Sequence, residues 1–258
     1  MSTVYPILVT RQQHPYNPIG DVYLGSYRQG ETPAHDRFDS LQPLSTYQTA
    51  DERSPGWSAA ATPLFRMDSM LIEKRPGQLG TVWTRDEMDD FLLGSSGELF
   101  YTSEGELFRL KKPGGRAQRV EVPAPLAGPL ESSPTGLVLL TDQGLLRFDP
   151  DTGEGVDLTR GAFEDFSLSP DGRQVVYCRH GGIFLRDLDT HQDRTLLPPD
   201  GQMRFGPRLS PDQSRVFFGS WWIETDLSVR SRLQVMENRT GAVPRTLLEQ
   251  AVEAVPEA

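Results

Sequence analysis

Two stretches of this sequence open on Ser-Pro-Asp and close on Arg-Thr-Leu-Leu, and their openings lie 41 residues apart. The first begins at Ser169-Pro170-Asp171-Gly172, runs through Val175-Val176-Tyr177 and Ile183-Phe184-Leu185-Arg186-Asp187-Leu188, and ends at Arg194-Thr195-Leu196-Leu197. The second begins at Ser210-Pro211-Asp212-Gln213, runs through Val216-Phe217-Phe218 and Leu233-Gln234-Val235-Met236, and ends at Arg245-Thr246-Leu247-Leu248. Each opening is a turn: Pro fixes φ, Asp bonds nearby backbone, and Gly supplies a positive φ. β-branched and aromatic runs then alternate with further turns, so each unit reads as four short antiparallel strands. A four-stranded unit repeating near forty residues is the period of a β-propeller blade. One blade cannot cover both of its faces, so neighbours must stack around a ring. A β-sandwich of similar hairpins is the alternative. Recurrence of the same opening and closing residues in the same order argues against it.

Fainter copies lie upstream. One opens at Ser133-Pro134-Thr135-Gly136, and a looser one at Ser96-Gly97-Glu98. A further copy is expected to open at Ser54-Pro55-Gly56. The Ser-Pro-Asp-Gly turn followed by an Ile-Phe-Leu-Arg-Asp-Leu-Asp strand resembles the TolB-type, WD40-like propeller repeat. The resemblance is good over 163–249, fair over 94–160 and poor before residue 90. It implies a fold and little about activity, since such repeats occur in scaffolds and as accessory domains of hydrolases. The expectation is one all-β domain over 1–258, a propeller of about five or six four-stranded blades. The repeats fall at approximately 54–93, 94–127, 128–160, 161–199 and 200–249.

Residues 1–53 lack the visible repeat and read as an irregular segment. Val4–Thr10 and Asp21–Tyr27 read as strands within it. Ala59–Met70 and Thr81–Trp83 read as strands of an early blade. A ring must close, because closure removes exposed edges, and Val4–Thr10 is the expected closing strand, paired into the last blade. Leu247–Val255 reads as a short helix ended by Pro256.

The net charge of −10 argues against nucleic acid or an anionic membrane as partner. The single cysteine, Cys178, allows no internal disulfide and reads as a small packed side chain. The first residues lack a basic region before a short apolar stretch, so a signal peptide is not expected. No run reaches the ~18 apolar residues of a membrane helix. These features lead to the expectation of a cytoplasmic, bacterial, monomeric protein.

No nucleophile elbow or phosphate loop is present. His14, His35, His180 and His191 lack the paired spacing of a metal site, and no metal or cofactor is expected. Asp86-Glu87-Met88-Asp89-Asp90 reads as a solvated loop, with cation binding as the alternative. Arg109, Lys111, Lys112, Arg116 and Arg119 form a basic spot without an acid among them. It fits an acidic partner or, more simply, charge that protects blade edges. Trp221 and Trp222 stand before an insertion, 224–231, that includes Glu224 and Asp226. Paired aromatics there serve equally as blade core or as an interface on the rim. Asp165, Arg204 and Arg208 are expected near the channel, as ligand contacts or as ion pairs closing the ring.

The leading expectation is a non-enzymatic protein-binding propeller, of accessory or immunity type. Its partner-binding residues would come from Trp221, Trp222, Glu224, Asp226, Arg109, Lys111, Lys112 and Arg116. The alternative is a propeller hydrolase or lyase with a site at the channel mouth.

Overall fold

The structure is a computed structural model that describes residues 3–14, 17–44, 52–57, 61–94, 96–133, 135–225 and 228–256. Its strands form six four-stranded antiparallel sheets. The first blade holds β1 (Thr3–His14), β2 (Asn17–Gln29) and β3 (Arg37–Pro43). The second holds β4 (Glu52–Trp57), β5 (Pro63–Met67), β6 (Met70–Glu73) and β7 (Thr81–Thr84). The third holds β8 (Asp90–Leu93), β9 (Leu99–Ser103), β10 (Glu106–Leu110) and β11 (Gln118–Val120). The fourth holds β12 (Leu126–Ser133), β13 (Gly136–Thr141), β14 (Gly144–Phe148) and β15 (Gly155–Arg160). The fifth holds β16 (Asp165–Leu168), β17 (Gln174–Arg179), β18 (Gly182–Asp187) and β19 (Asp193–Leu197). The sixth holds β20 (Met203–Leu209), β21 (Arg215–Ile223), β22 (Val229–Glu237) and β23 (Arg245–Glu249). The last strand, β24 (Ala251–Pro256), returns to the first blade and is its innermost strand.

Six buried apolar clusters hold these blades together, and each lies between two neighbours. Val176 and Cys178 pack with Phe218 and Met236 of the sixth blade. Val175 and Tyr177, one residue out of step, pack with Val138 and Leu140 of the fourth. The period-two alternation of one strand thus serves two interfaces. The first blade repeats the pattern: Ile7 and Val9 face Phe217 and Leu233 of the sixth blade, while Leu8 faces Phe65 of the second.

The repeat openings are superposable in chemistry. Ser169 Oγ donates to Asp171 Oδ1 at 2.6 Å and accepts the Gln174 N–H at 2.9 Å. Ser210 Oγ does the same with Asp212 Oδ1 at 2.6 Å and the Arg215 N–H at 2.9 Å. Gln213, at φ +58°, takes the left-handed place that Gly172 holds at +68°.

Five readings of the sequence are corrected. The ring closes the opposite way: β24 pairs with β1 over Ile7–Arg11, so the end of the chain completes the first blade. Leu247–Val255 is not helical. Leu247–Glu249 belong to β23 and Ala251–Val255 to β24, with Gln250 as the turn between them, because the open edge of β1 offers a hydrogen-bonding ladder. Thr3–His14, Asn17–Gln29 and Arg37–Pro43 are not irregular but form three strands of a blade. Ser54-Pro55-Gly56 lies inside β4 and not in an opening turn. Residues 59–60 of the proposed early strand lie outside the described residues, and its remainder is split between β5 and the start of β6.

Candidate functional site

Alternating strand direction gives the ring two different faces. The loops joining second to third strands lie on one, here the hairpin face. Loops joining first to second and third to fourth strands lie on the other. On the hairpin face four blades end in two-residue turns: Asp68-Ser69, Glu104-Gly105, Asp142-Gln143 and His180-Gly181. Left-handed backbone at Asp68, Glu104 and His180 suits the twist of tight hairpins. The first and sixth blades depart from this. Their second and third strands run 12 and 13 residues in the first blade, and 9 and 9 in the sixth. These two blades are neighbours in the ring.

In the sixth blade the long hairpin carries Trp221, Trp222 and Ile223. Trp221 is half-buried and stands opposite Met203 in the ladder. Trp222 is also half-buried. Its indole N–H donates to Glu224 Oε1 at 2.8 Å, and the Arg232 guanidinium lies over its ring at 4.9 Å. Arg232 is held in turn by Ser220 Oγ at 3.2 Å and Gln202 Oε1 at 2.8 Å. Ile223 and Met203 are 58% and 54% exposed, which is unusual for apolar side chains on a strand. In the first blade Arg11 lies over the Tyr23 ring at 5.6 Å. Neither Met203 nor Arg232 stands out in the sequence: the first sits after a loop, and the second is one of many arginines.

A cavity of about 660 Å³ is lined by Trp57, Asp89, Asp90, Glu131, Asp165 and Arg208, among others. Asp90 Oδ2 accepts the Leu130 N–H of the next blade at 2.9 Å. Asp165 Oδ2 accepts the Gly206 N–H of the next blade at 2.6 Å. Both carboxylates therefore staple one innermost strand to its neighbour. Arg208 pairs with Glu131 across the lumen. Although partly accessible from the channel, both aspartates are ringed by protein. Burial pushes the Asp165 carboxyl up to about 6, against the pull of the Gly206 and Phe166 N–H groups. Burial raises Asp90 as well, opposed by the N–H groups of Leu130 and Phe91. Arg204 is buried and bonds the Gly181 carbonyl and, at 2.7 Å, Asp200.

The remaining candidates scatter. His180 and His191 sit in exposed turns, and His35 in a short 3-10 turn. His180 donates its backbone N–H to Glu164 Oε1 at 2.8 Å. His14 lies in β1, and its side chain is outside the described residues, as is Asp226. Among the described residues no three His, Cys, Asp or Glu side chains converge on a metal-sized site. Cys178 lies in the core between the fifth and sixth blades, where burial raises its thiol. In the acidic stretch, Met88 is core, Asp86 accepts the Tyr101 hydroxyl at 2.6 Å, and Asp90 is the channel staple.

The basic spot divides. Arg109 is not displayed to a partner. It bonds Asp151 at 2.6 Å and Glu98 at 3.3 Å, and its guanidinium lies over Phe100, so it ties the third blade to the fourth. Arg119 pairs with Glu106 at 3.1 Å on the outer strands. Lys111, Lys112 and Arg116 are exposed on the face opposite the long hairpins. The tryptophans and the lysines thus belong to different surfaces.

No family model matches the sequence, and no curated protein matches it. Solved structures do match, over nearly the whole chain. A putative TolB from Agrobacterium tumefaciens is 15% identical, with 99% of each chain covered and a TM-score of 0.57. In fold, this chain is a six-bladed β-propeller, similar to that TolB structure. A chain of a nidogen/laminin complex aligns with it at a TM-score of 0.68 and 9% identity, over 96% of this propeller and 97% of that chain. A Bacteroides caccae protein of unknown function aligns at 0.61 and 10%, covering 98% and 99%. At these identities the likeness is one of architecture, and the two long hairpins must be read on their own chemistry.

Proposed function

We propose that this propeller is a non-enzymatic protein-binding module whose partner seats on the hairpin face, over Trp221, Trp222, Ile223 and Glu224. The observation that carries the reading is the half-exposed Trp222 ring, fixed between Glu224 and Arg232 beside exposed Ile223 and Met203. Tryptophan and arginine are the side chains that most often dominate binding energy, and a ring already held in place loses little entropy on docking. The similar fold in a nidogen/laminin complex supports this use of the architecture. The finer form of the proposal is a bacterial accessory or immunity-type protein of the cytoplasm. What supports it is the net charge of −10, which disfavours nucleic acid and anionic membrane as partners.

The test is a photo-crosslinking residue at Ile223, with capture from the native host. A stoichiometric protein crosslinked there, and lost with Trp222→Ala, is expected. Crosslinks that stay within the chain itself would defeat the reading.

A second reading, a hydrolase or lyase in the channel, has the raised Asp165 carboxyl in its favour. Its Oδ2 already accepts the Gly206 N–H, which favours a structural duty for that group.

A further inference from the structure

On the face opposite the long hairpins, the third-to-fourth-strand loops of the second and third blades, which are neighbours, are both basic. The second blade contributes Lys74 and Arg75 from the segment 74–80, and the third contributes Lys111, Lys112 and Arg116 from 111–117. Neither segment contains an acidic residue. The 111–117 loop is tied to the second blade: the Gly114 N–H donates to the carbonyl of Trp83 in β7, the strand that follows the 74–80 loop, at 2.9 Å. Ala117, at the end of the second loop, packs on the cluster that contains Trp83 and Leu110. Arg75 Nε is anchored on Thr62 Oγ1 at 3.3 Å. The cations therefore sit on a braced platform. Beside them Leu79 is fully exposed at the tip of its loop.

The surroundings define what can lie there. The matching loop of the fourth blade is acidic, with Asp149, Asp151 and Glu154, and that of the first blade carries Glu31. A flat polyanion such as a bilayer or a nucleic-acid duplex would cover these loops as well and meet like charge. A narrow segment confined to the 74–80 and 111–117 loops meets their cations and Leu79, while the neighbouring Glu73 is occupied by the Trp83 indole N–H. We propose that this surface binds an acidic peptide segment of a partner protein, with an apolar side chain of that segment placed on Leu79. The site lies on the other face from Trp222, so it stands or falls independently of the hairpin-face reading.

The experiment is fluorescence polarisation at low ionic strength with the full chain and a labelled peptide of alternating glutamate and leucine. A glutamate-only peptide, phosphatidylserine-containing vesicles and an oligo-dT strand serve as competing probes. Saturable binding of the mixed peptide is expected, tighter than that of any other probe and weakened by added salt. Lys111→Glu, Lys112→Glu and Arg116→Glu together should weaken it by about tenfold or more, a loss typical of reversing contact charges. Lys111→Gln with Lys112→Gln should weaken it less, Leu79→Ser should erase the preference over the glutamate-only peptide, and Trp222→Ala should leave it unchanged. Absence of peptide binding would overturn the proposal. So would indifference to the charge reversals, tighter binding of vesicles or oligonucleotide, or self-association of the chain through these loops.

Discussion

Arg215 and Asp36, 179 residues apart in sequence, form a buried ion pair with Nε and Oδ2 at 3.0 Å. The pair joins the sixth blade to the loop between β2 and β3 of the first. Arg215 also donates to the Gly30 carbonyl at 3.0 Å, and Asp36 Oδ1 accepts the Gly30 N–H at 2.7 Å. Replacing Asp36 by alanine leaves a buried guanidinium without its counter-charge. Breaking a buried pair in this way costs about 3–5 kcal/mol. Urea unfolding of Asp36→Ala should show a loss of that size. The double variant Asp36→Leu, Arg215→Met should recover much of it, since no buried charge remains unpaired. A single variant as stable as the parent would show that the ring does not depend on this closure contact.

Asp165 makes a pH prediction with a definite sign. Its folded carboxyl titrates at about 6, above the ordinary carboxylate value of 3.8. The folded state therefore binds this proton more tightly than the unfolded state. The group's contribution is fully present below about pH 4 and is lost as pH rises through about 6. Asp165→Asn should then be more stable than the parent at pH 8, with the advantage shrinking toward pH 4. Asparagine keeps the acceptor for the Gly206 N–H, so the comparison isolates the charge. Working on the difference between the two proteins matters, because Asp193, held low by Arg186, and Asp200, held low by Arg204, act in the opposite sense. A stability difference independent of pH would refute the assignment.

Gly181 is a turn position with no room for a side chain. It sits at φ +75°, and a Cβ there would lie 2.2 Å from the Gln202 carbonyl oxygen. Gly153 shares the left-handed backbone, at +77°, with open space around it. Gly153→Ala should cost about 1–2 kcal/mol, the usual penalty of left-handed backbone. Gly181→Ala should cost more, since Gln202 must also move. Gln202 holds Arg232, which covers Trp222, so Gly181→Ala should also change tryptophan fluorescence while Gly153→Ala leaves it alone. Equal effects of the two substitutions on stability and fluorescence would contradict this account.

What the sequence disclosed and withheld follows from locality. Ser169–Leu197 and Ser210–Leu248 could be read because turn chemistry and alternation lie within each unit. Even Gln213 in the place of Gly172 did not hide the repeat, since Ser210 and Asp212 make the same bonds as Ser169 and Asp171. The first blade was obscured because its inner strand comes from residues 251–256, and no local pattern announces that pairing. Leu247–Val255 has the composition of a helix, but the ladder offered by β1 outweighs a propensity of tenths of a kcal/mol per residue. Arg109 looked like part of a surface cluster because Glu98 and Asp151, which engage it, are distant in sequence. The aromatic pair at 221–222 was visible. Its bracing by Arg232 and the exposure of Met203 needed the neighbouring strands in place.

The return of β24 to β1 also dictates a timetable. During synthesis the second to sixth blades can each assemble as their own residues emerge. The sheet of β1, β2 and β3 cannot be completed until residues 251–256 leave the ribosome, so the inner edge of β1 stays unpaired throughout. Until that moment Ile7, Leu8 and Val9 lie beside an open strand edge, the part of a sheet most prone to pair with another chain. A circular permutant that places β24 directly before β1 would remove that interval while keeping every contact of the finished ring.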